Sequence, residues 1–147
     1  MIGEAGYFDT SYLVRLYLDD PGCTAVRQLA RGHRQIACAS HGRAEVIAAF
    51  HRAFRDGRLT AQNHELLHQQ FVSEMARSVY LWHPLDDAIL RRMQRVYRTA
   101  PAKMFLRAAD ALHLACAAEH GFTEVYSHDR HFLAAAPYFD LIGHDVI

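Results

Sequence analysis

The feature of this sequence that most limits its fold is an alternation of short apolar runs with longer helical patterns. The short runs read "GYFD", "QIACAS", "VYLWH", "TEVYS" and "LIGHDVI", and the segments between them carry apolar residues at helical spacing. Alternation of this kind places crossover helices between parallel strands. We therefore predict an α/β fold of three layers, α/β/α, with a mostly parallel sheet of about four to five short strands and helices on both faces.

The helical segments are bounded by recognisable start and stop residues. The predicted helices are "SYLVRLYLDD", Pro21 to about His33, "HGRAEVIAAFHRAFRD", Thr60 to about Ser78, Pro84 to about Thr99, "RAADALHLACAAEHG" and "DRHFLAAA". Thr10 and Ser11 are expected to serve the start of the first helix, which would leave Asp9 free of that role.

Length and composition restrict the class of protein further. A chain of 147 residues is expected to form a single domain over residues 1–147. No apolar run approaches the ~20 residues that cross a bilayer, no signal peptide precedes the first strand, and three widely spaced cysteines read as reduced thiols. We therefore expect a cytoplasmic protein without membrane contact. The formal net charge is zero, and nearly all basic residues are arginine, with Lys103 the only lysine.

Four acidic residues follow predicted strands or lie at the start of predicted helices: Asp9, Glu45, Asp110 and Asp129. In open parallel sheets, functional sites form beyond the carboxyl ends of the strands. Each acid alone also has a structural explanation. Asp9 or Asp129 could cap a helix, and Glu45 could be a half-exposed helix residue. Asp110 lies within an apolar helix, where Arg107 is the only local charge partner.

Taken together, the four acids predict a shared site. Carboxylates that converge raise one another's pKa unless a cation offsets their charge. Oxygen ligands suit Mg²⁺ or Mn²⁺ better than zinc. One or two such ions can activate a water and stabilise the charge on a phosphodiester. The pattern therefore indicates a metal-dependent nuclease.

Three segments also resemble those of PIN domains, and most closely the VapC-like toxins of toxin–antitoxin pairs. They are "YFDTSYLVRLYLDDPG", "GRAEVIAAFHRAFRDG" and "LRAADALHLACAAEHGFTEVYSHDRHFLAAA". The match runs nearly end to end, and about residues 58–100 are generic. The resemblance implies a PIN-like fold and an Mg²⁺- or Mn²⁺-dependent endoribonuclease that cleaves RNA. It further implies a toxin that inhibits translation or growth when free of a small cognate antitoxin protein, and a homodimer.

By position, the resemblance makes Asp9, Glu45, Asp110 and Asp129 the acidic quartet of the family. It implies that Asp9 and Asp110 bind the metal directly and that Glu45 and Asp129 bind it directly or through water. Ser11 matches a small hydroxyl residue that helps order the site. Two features depart from the commonest pattern: the tetrapeptide "SHGR" before Glu45, and a histidine just before Asp129.

Two alternative functions compete with this interpretation. The segment "NHELLH" is a formal HExxH, so His64 and His68 could bind zinc with Glu65 as the base of a metalloprotease. Coincidence in a chain with 11 histidines is the alternative explanation, and no extended protease pattern follows. The second alternative is a non-catalytic binding module on the same fold, which the intact acids argue against.

Basic and histidine side chains supply further candidates for substrate contact. Arg52 lies two turns beyond Glu45 on the same predicted helix face and could bind phosphate. His113 lies one turn from Asp110 and could contact substrate or metal-bound water, or pack as a hydrogen-bonded histidine. Arg91, Arg95 and Arg98 could follow an RNA backbone, bind antitoxin acids or form a solvated helix face.

Overall fold

The five strands of residues 3–147 lie in one parallel sheet. A computed structural model describes residues 3–147. The strands are β1 (Gly3–Phe8), β2 (His33–Ala39), β3 (Tyr80–His83), β4 (Glu124–Tyr126) and β5 (Ile142–His144). Their order is β3-β2-β1-β4-β5, and every neighbouring pair is parallel. The predicted α/β class and sheet are confirmed. The chain builds outward from β1 on both sides, which makes the carboxyl ends of β1 and β4 the switch point of the sheet.

In the described part of the chain, seven α-helices connect the strands. They are α1 (Thr10–Leu13), α2 (Cys23–Arg31), α3 (Gly42–Arg55), α4 (Ala61–Met75), α5 (Asp87–Thr99), α6 (Ala108–Glu119) and α7 (Arg130–Ala135). Short 3₁₀ turns extend α1 over Val14–Leu16 and α7 over Ala136–Phe139. Within residues 3–147, no helix combines the length and the apolar character that crossing a bilayer requires.

The two faces of the sheet bury separate apolar clusters. Successive side chains of a strand point to opposite faces, so Tyr7 and Phe8 of β1 enter different layers. The layer with Tyr7 packs against α5, α6 and α7 through residues such as Leu114 and Phe132. The layer with Phe8 packs against α1 to α4 and includes Phe50. The predicted three-layer arrangement is confirmed.

Helix α2 begins and ends at different residues from those predicted. It starts at Cys23 rather than Pro21, because Gly22 adopts a left-handed backbone with φ of 86° that interrupts a right-handed helix. It ends at Arg31, and His33 belongs to β2, where it pairs with Gly3 of β1. Pairing with the central strand therefore overrides the helical pattern at this end.

Gly42 allows α3 to approach the sheet closely. A Cβ atom at this position would lie 2.5 Å from the Sγ of Cys38 on β2 and 3.4 Å from Cε1 of His113 on α6. Both of those side chains are buried. The glycine of the unusual tetrapeptide before Glu45 thus places the first turn of α3, and with it Glu45, against the end of the sheet.

We expect Gly42→Ala to lower the free energy of unfolding by about 1–3 kcal/mol, because an added methyl group overpacks a filled core. Urea denaturation measures this change as a lower midpoint. Gly32→Ala is the matched control, since its backbone is ordinary at φ of −80° and the nearest atom to the added Cβ is 3.3 Å away. Equal destabilisation by both substitutions would contradict the packing role of Gly42.

Candidate active site

Asp9 is the first residue after β1 and caps helix α1. Its backbone is extended, with ψ of 177°, and its Oδ1 accepts a hydrogen bond from the Tyr12 N–H at 3.2 Å. The prediction that Thr10 and Ser11 serve this helix start is wrong. Both residues already lie in the first helical turn, whereas a capping side chain needs the extended backbone found at Asp9. Their hydroxyl groups are directed to carboxylates instead.

Two serines hold the Asp9 carboxylate to the loop after β4. Ser11 donates to Oδ1 at 2.6 Å, and Ser127 donates to Oδ2 at 2.5 Å. The Ser11 hydroxyl in turn accepts from the His128 N–H at 3.0 Å, and the Ser127 hydroxyl accepts from the Asp129 N–H at 2.9 Å. Ser127 is fully buried and was not predicted as a site residue, although the pattern Ser-x-Asp after a strand signals it.

Asp9 carries a buried charge with little local compensation. Only 4% of its surface is exposed. Burial raises the pKa of Asp9 to about 6, even though the hydrogen bonds from Ser11 and Ser127 act in the opposite direction. The ion pairs of residues 3–147 do not include Asp9. A cation beside this carboxylate would therefore stabilise its ionised form.

Glu45 lies in the first turn of α3 and is fixed from two sides. Its Oε1 accepts from the Thr10 hydroxyl at 2.9 Å and lies 2.6 Å from Nε2 of His113. Burial acts to raise the pKa of Glu45, but the bonds from His113 and Thr10 outweigh it and leave that pKa below its ordinary value. Glu45 is therefore ionised at neutral pH and held in one orientation.

His113 supports Glu45 from inside the protein. It is 1% exposed, and its Nδ1 lies 3.2 Å from the Tyr7 hydroxyl oxygen. That oxygen accepts from the Ala39 N–H at 3.1 Å, so the Tyr7 proton is free to bond Nδ1. This network assigns the proton of neutral His113 to Nε2, which donates to Glu45. Because His113 is buried, it acts on the site through its hydrogen bond to Glu45 and does not face solvent.

His41 completes a group of three possible ligands. Its ring lies 4.1 Å from the His113 ring, and its Nε2 is 3.6 Å from Glu45 and 3.0 Å from the Ala109 carbonyl oxygen. Within residues 3–147, His41, Glu45 and His113 form the one group of three such side chains with ligand atoms within 4.8 Å of one another. Burial lowers the pKa of His41, and the neighbouring His113 ring acts in the same direction because two imidazolium charges this close would repel. The sequence signal for this residue was the unusual "SHGR".

Asp110 and Asp129 lie on the other side of the same sheet end. Asp129 caps α7, with Oδ1 accepting from the N–H groups of His131 at 2.8 Å and Phe132 at 3.0 Å. Asp110 lies in the first turn of α6 and is half-buried. Burial raises the pKa of Asp110, and the charge of Asp129 raises it further.

The four acids therefore share one end of the sheet, and the charges of Asp129 and Glu45 both raise the pKa of Asp110, but the four do not form a closed cage. In the described part of the chain, no three of them bring their oxygens within 4.8 Å. An open set of oxygen ligands is compatible with an ion that retains several waters, as Mg²⁺ does.

The HExxH histidines are engaged in packing. The rings of His64 and His68 are 4.6 Å apart on one face of α4, and they stack on or meet the edges of Phe54 and Phe50 of α3. Glu65 is exposed and accepts from its own helix neighbour Gln69. Within residues 3–147, neither histidine belongs to a group of three possible ligands. The geometry supports a packing role for this motif.

The predicted basic residues line two separate grooves. Arg52 is exposed and lines a groove of about 670 Å³ between α3 and α4, together with His51 and Arg55. Arg95 and Arg98 line a second groove, of about 510 Å³, on α5, whereas Arg91 is not among the residues that line it.

Comparison with known proteins gives a family and a set of structural relatives. The model of the PIN domain matches residues 6–137. The structure is similar to that of FitAcB from Neisseria gonorrhoeae, with a TM-score of 0.71 and 15% identity over 93% of this chain and 94% of that one. No curated protein matches the sequence.

Two further solved structures share the fold. VapC20 from Mycobacterium tuberculosis, described as a sarcin–ricin loop cleaving toxin, has a TM-score of 0.68 and 15% identity over 88% of this chain and 93% of that one. VapBC2 from Rickettsia felis, solved bound to a DNA fragment from its promoter, has a TM-score of 0.67 and 12% identity over 96% of this chain and 98% of that one. At these identities, the similarity concerns the fold.

Asp9→Asn is expected to gain stability relative to the wild type as the pH rises in EDTA, because asparagine places no charge in this buried position. A carboxyl group whose pKa rises from 3.8 to about 6 binds its proton more tightly in the folded state. Protonation of Asp9 therefore contributes about 3 kcal/mol to the free energy of unfolding. This contribution is complete below pH 3.8 and is lost as the pH rises through 6.

The variant should therefore gain about 2 kcal/mol on the wild type between pH 4.5 and pH 7.5, as measured by urea denaturation. Asp87→Asn is the control, since Asp87 is an exposed carboxylate at the start of α5. A stability difference for Asp9→Asn that is independent of pH would contradict the buried charge.

Proposed function

This chain belongs to the PIN-domain family, and on that premise we propose that it is an Mg²⁺- or Mn²⁺-dependent endoribonuclease, the toxin of a toxin–antitoxin pair. The observation that carries the proposal is the buried Asp9 carboxylate at the switch point of the sheet. It lies beside the loop that bears Asp129, and it has no cationic partner within residues 3–147.

The donor set suits a hard divalent cation. Burial raises the pKa of both Asp9 and Asp110, which is the condition that a bound cation would relieve. In this proposal Asp9 and Asp110 bind the ion directly, and Glu45 and Asp129 bind it directly or through water. An ion held there lowers the pKa of a bound water and offsets charge on the phosphodiester.

The remaining side chains hold the acids in place. Ser11 and Ser127 each donate to one oxygen of Asp9, so its carboxylate plane is fixed. Thr10 and His113 both bond Oε1 of Glu45 and hold that oxygen in place. Such preorganised groups stabilise charge without reorganising during the reaction. The proposal therefore assigns acids to the reaction and hydroxyl and imidazole groups to their positioning.

The partners follow from charge and from the structural relatives. VapC20 is described as a sarcin–ricin loop cleaving toxin, which supports RNA as the substrate class here. An acidic site in a chain of zero formal net charge also suits a basic side chain, such as an antitoxin arginine, that competes with the cation. We also propose a cytoplasmic location, a single domain over the whole chain and a homodimer.

We expect Asp9→Asn and Asp110→Asn each to reduce cleavage of single-stranded RNA at least ~100-fold in Mg²⁺ or Mn²⁺, because each removes a direct metal ligand. EDTA should abolish wild-type cleavage, and added Mn²⁺ should restore it. Labelled RNA resolved on gels measures both effects. Asp87→Asn, an exposed acid on α5, serves as the control with unchanged activity.

Full cleavage by either variant, or by wild-type protein in EDTA, would overturn the proposed function. Absence of cleavage by the wild type on every RNA would favour the binding-module alternative. Growth arrest on expression of the wild type but not of Asp9→Asn extends the same test to the toxin role.

Arg52→Ala should weaken RNA binding in EDTA and reduce the salt dependence of the affinity by about 0.7 to 1, because one phosphate contact is lost. The affinity is measured by fluorescence anisotropy over a range of KCl concentrations. Arg34→Ala is the matched control. Arg34 is exposed at the start of β2, and it therefore lies at the end of the sheet opposite to the acids. An unchanged slope for Arg52→Ala would remove Arg52 from the binding surface.

A further inference from the structure

An exposed aromatic groove lies near the starts of α6 and α7, where Asp110 and Asp129 are found, and its aromatic side chains have no role in the proposed function so far. The groove has a volume of about 380 Å³ and is formed by the segment before α6 and by α7. Its lining includes Lys103, Met104, Phe105, His131 and Tyr138. We refer to it as the Phe105 groove.

Phe105 is unusual among the aromatic residues of the protein. It is 56% exposed, the highest value for any phenylalanine, tyrosine or tryptophan of the described residues. Its ring lies 4.5 Å from that of His131, tilted by 53°. A single exposed apolar residue is ordinary on a protein surface, but this ring contacts a second ring while more than half of its residue surface stays accessible. That arrangement suits a planar group.

The groove is fixed to the acids through the backbone. The His131 N–H donates to Asp129 at 2.8 Å, so the residue behind Phe105 is bonded directly to one acid. On the other side, the Tyr97 hydroxyl donates to the Leu106 carbonyl at 2.6 Å and holds the segment that leads into α6. Asp110 lies in the first turn of that helix. A group seated on Phe105 would thus lie next to the acids.

Positive charge borders the groove. Lys103, the only lysine of the chain, lines it, and Arg107 precedes α6 at its edge. Both are exposed, and within residues 3–147 neither takes part in an ion pair. Their charges are therefore available to an anionic ligand.

The Phe105 groove continues into the arginine groove of α5. Tyr138 lines both, and beyond it lie Arg95 and Arg98. Arg92 also lines the second groove but is paired with Glu119 at 2.8 Å. The surface thus offers a ring beside the acids, a second ring further out, and then two arginines that form no ion pair within residues 3–147.

We infer that this surface binds single-stranded RNA, with one unpaired base stacked on Phe105 and the strand continuing past Tyr138 to Arg95 and Arg98. The inference rests on the proposed ribonuclease function and adds a substrate path to it. Unpaired bases stack on aromatic rings, whereas paired bases are not free to do so. Alternating aromatic and basic groups fit a polyanion that carries flat bases.

The test measures binding of a short unpaired RNA containing 2-aminopurine to the full chain in EDTA. Phe105→Ala should weaken affinity by about 5- to 100-fold, since stacking contributes on that order per base. Phe105→Trp should retain affinity and quench 2-aminopurine fluorescence, whereas Phe105→Leu, which is apolar but not aromatic, should behave like alanine. Leu66→Ala is the control, because Leu66 is 54% exposed on α4.

The arginine end of the path has a separate readout. The double variant Arg95→Ala/Arg98→Ala should reduce the salt slope by about 1.4, as expected for two phosphate contacts on a single strand. Arg34→Ala should leave the slope unchanged. A fully paired duplex of the same sequence should bind more weakly than the single strand and should not distinguish Phe105→Ala from the wild type.

Equal affinity of Phe105→Ala and Leu66→Ala for the single strand would overturn the inference. So would a change of oligomeric state in Phe105→Ala, by light scattering, with RNA affinity unaltered, because the groove would then be a contact between copies of the chain. The two proposals fail differently. RNA cleavage that requires Asp9 but not Phe105 rejects the path alone, whereas absence of cleavage by the wild type rejects the proposed function.

Discussion

The buried carboxylate of Asp9 is the interaction on which the rest of the site depends. Asp9 directly follows β1, and its two oxygens accept hydrogen bonds from the start of α1 and from the loop after β4, so this residue joins all three elements. A charge held at 4% exposure destabilises the folded chain unless it is compensated. Here one helix N-terminus and two hydroxyl groups supply partial compensation. The protein thus gives up some stability at the position where a cation is proposed to bind.

Glu45 is oriented by the opposite route, from the core outward. The Ala39 N–H, the Tyr7 hydroxyl and the His113 ring form a buried series of hydrogen bonds that ends on its carboxylate. Tyr7 lies in β1, the strand that ends just before Asp9, and its side chain packs in the apolar cluster that includes α6. One strand therefore positions two acids, one through its end and the other through a side chain inside the protein.

The sequence allowed the sheet and the sheet end that bears the acids to be predicted, because both depend on local patterns. Alternation of strands and helices determines a parallel sheet, and an acid after a strand lies at its carboxyl edge. The capping role of Asp9 was mispredicted, because it depends on a backbone angle and not on residue type. Tyr7, His41 and Ser127 were missed, since their contacts join residues far apart in the chain, such as Ser127 and Asp9. Hydrogen bonds between residues so far apart in the chain produce no periodic pattern in the sequence.

The hydrogen bonds from Ser11 and Ser127 to Asp9 affect how the structure opens locally. The hydroxyl groups that bond Asp9 also accept the backbone N–H groups of His128 and Asp129, and the Asp129 side chain caps the short helix α7. Fraying of that helix start and release of the Asp9 carboxylate are therefore coupled parts of one fluctuation. Any ligand that holds Asp9 in place lowers the population of the frayed state. Amide hydrogens at the start of α7 would then exchange with solvent more slowly, although they lie in a different element from the carboxylate that is bound.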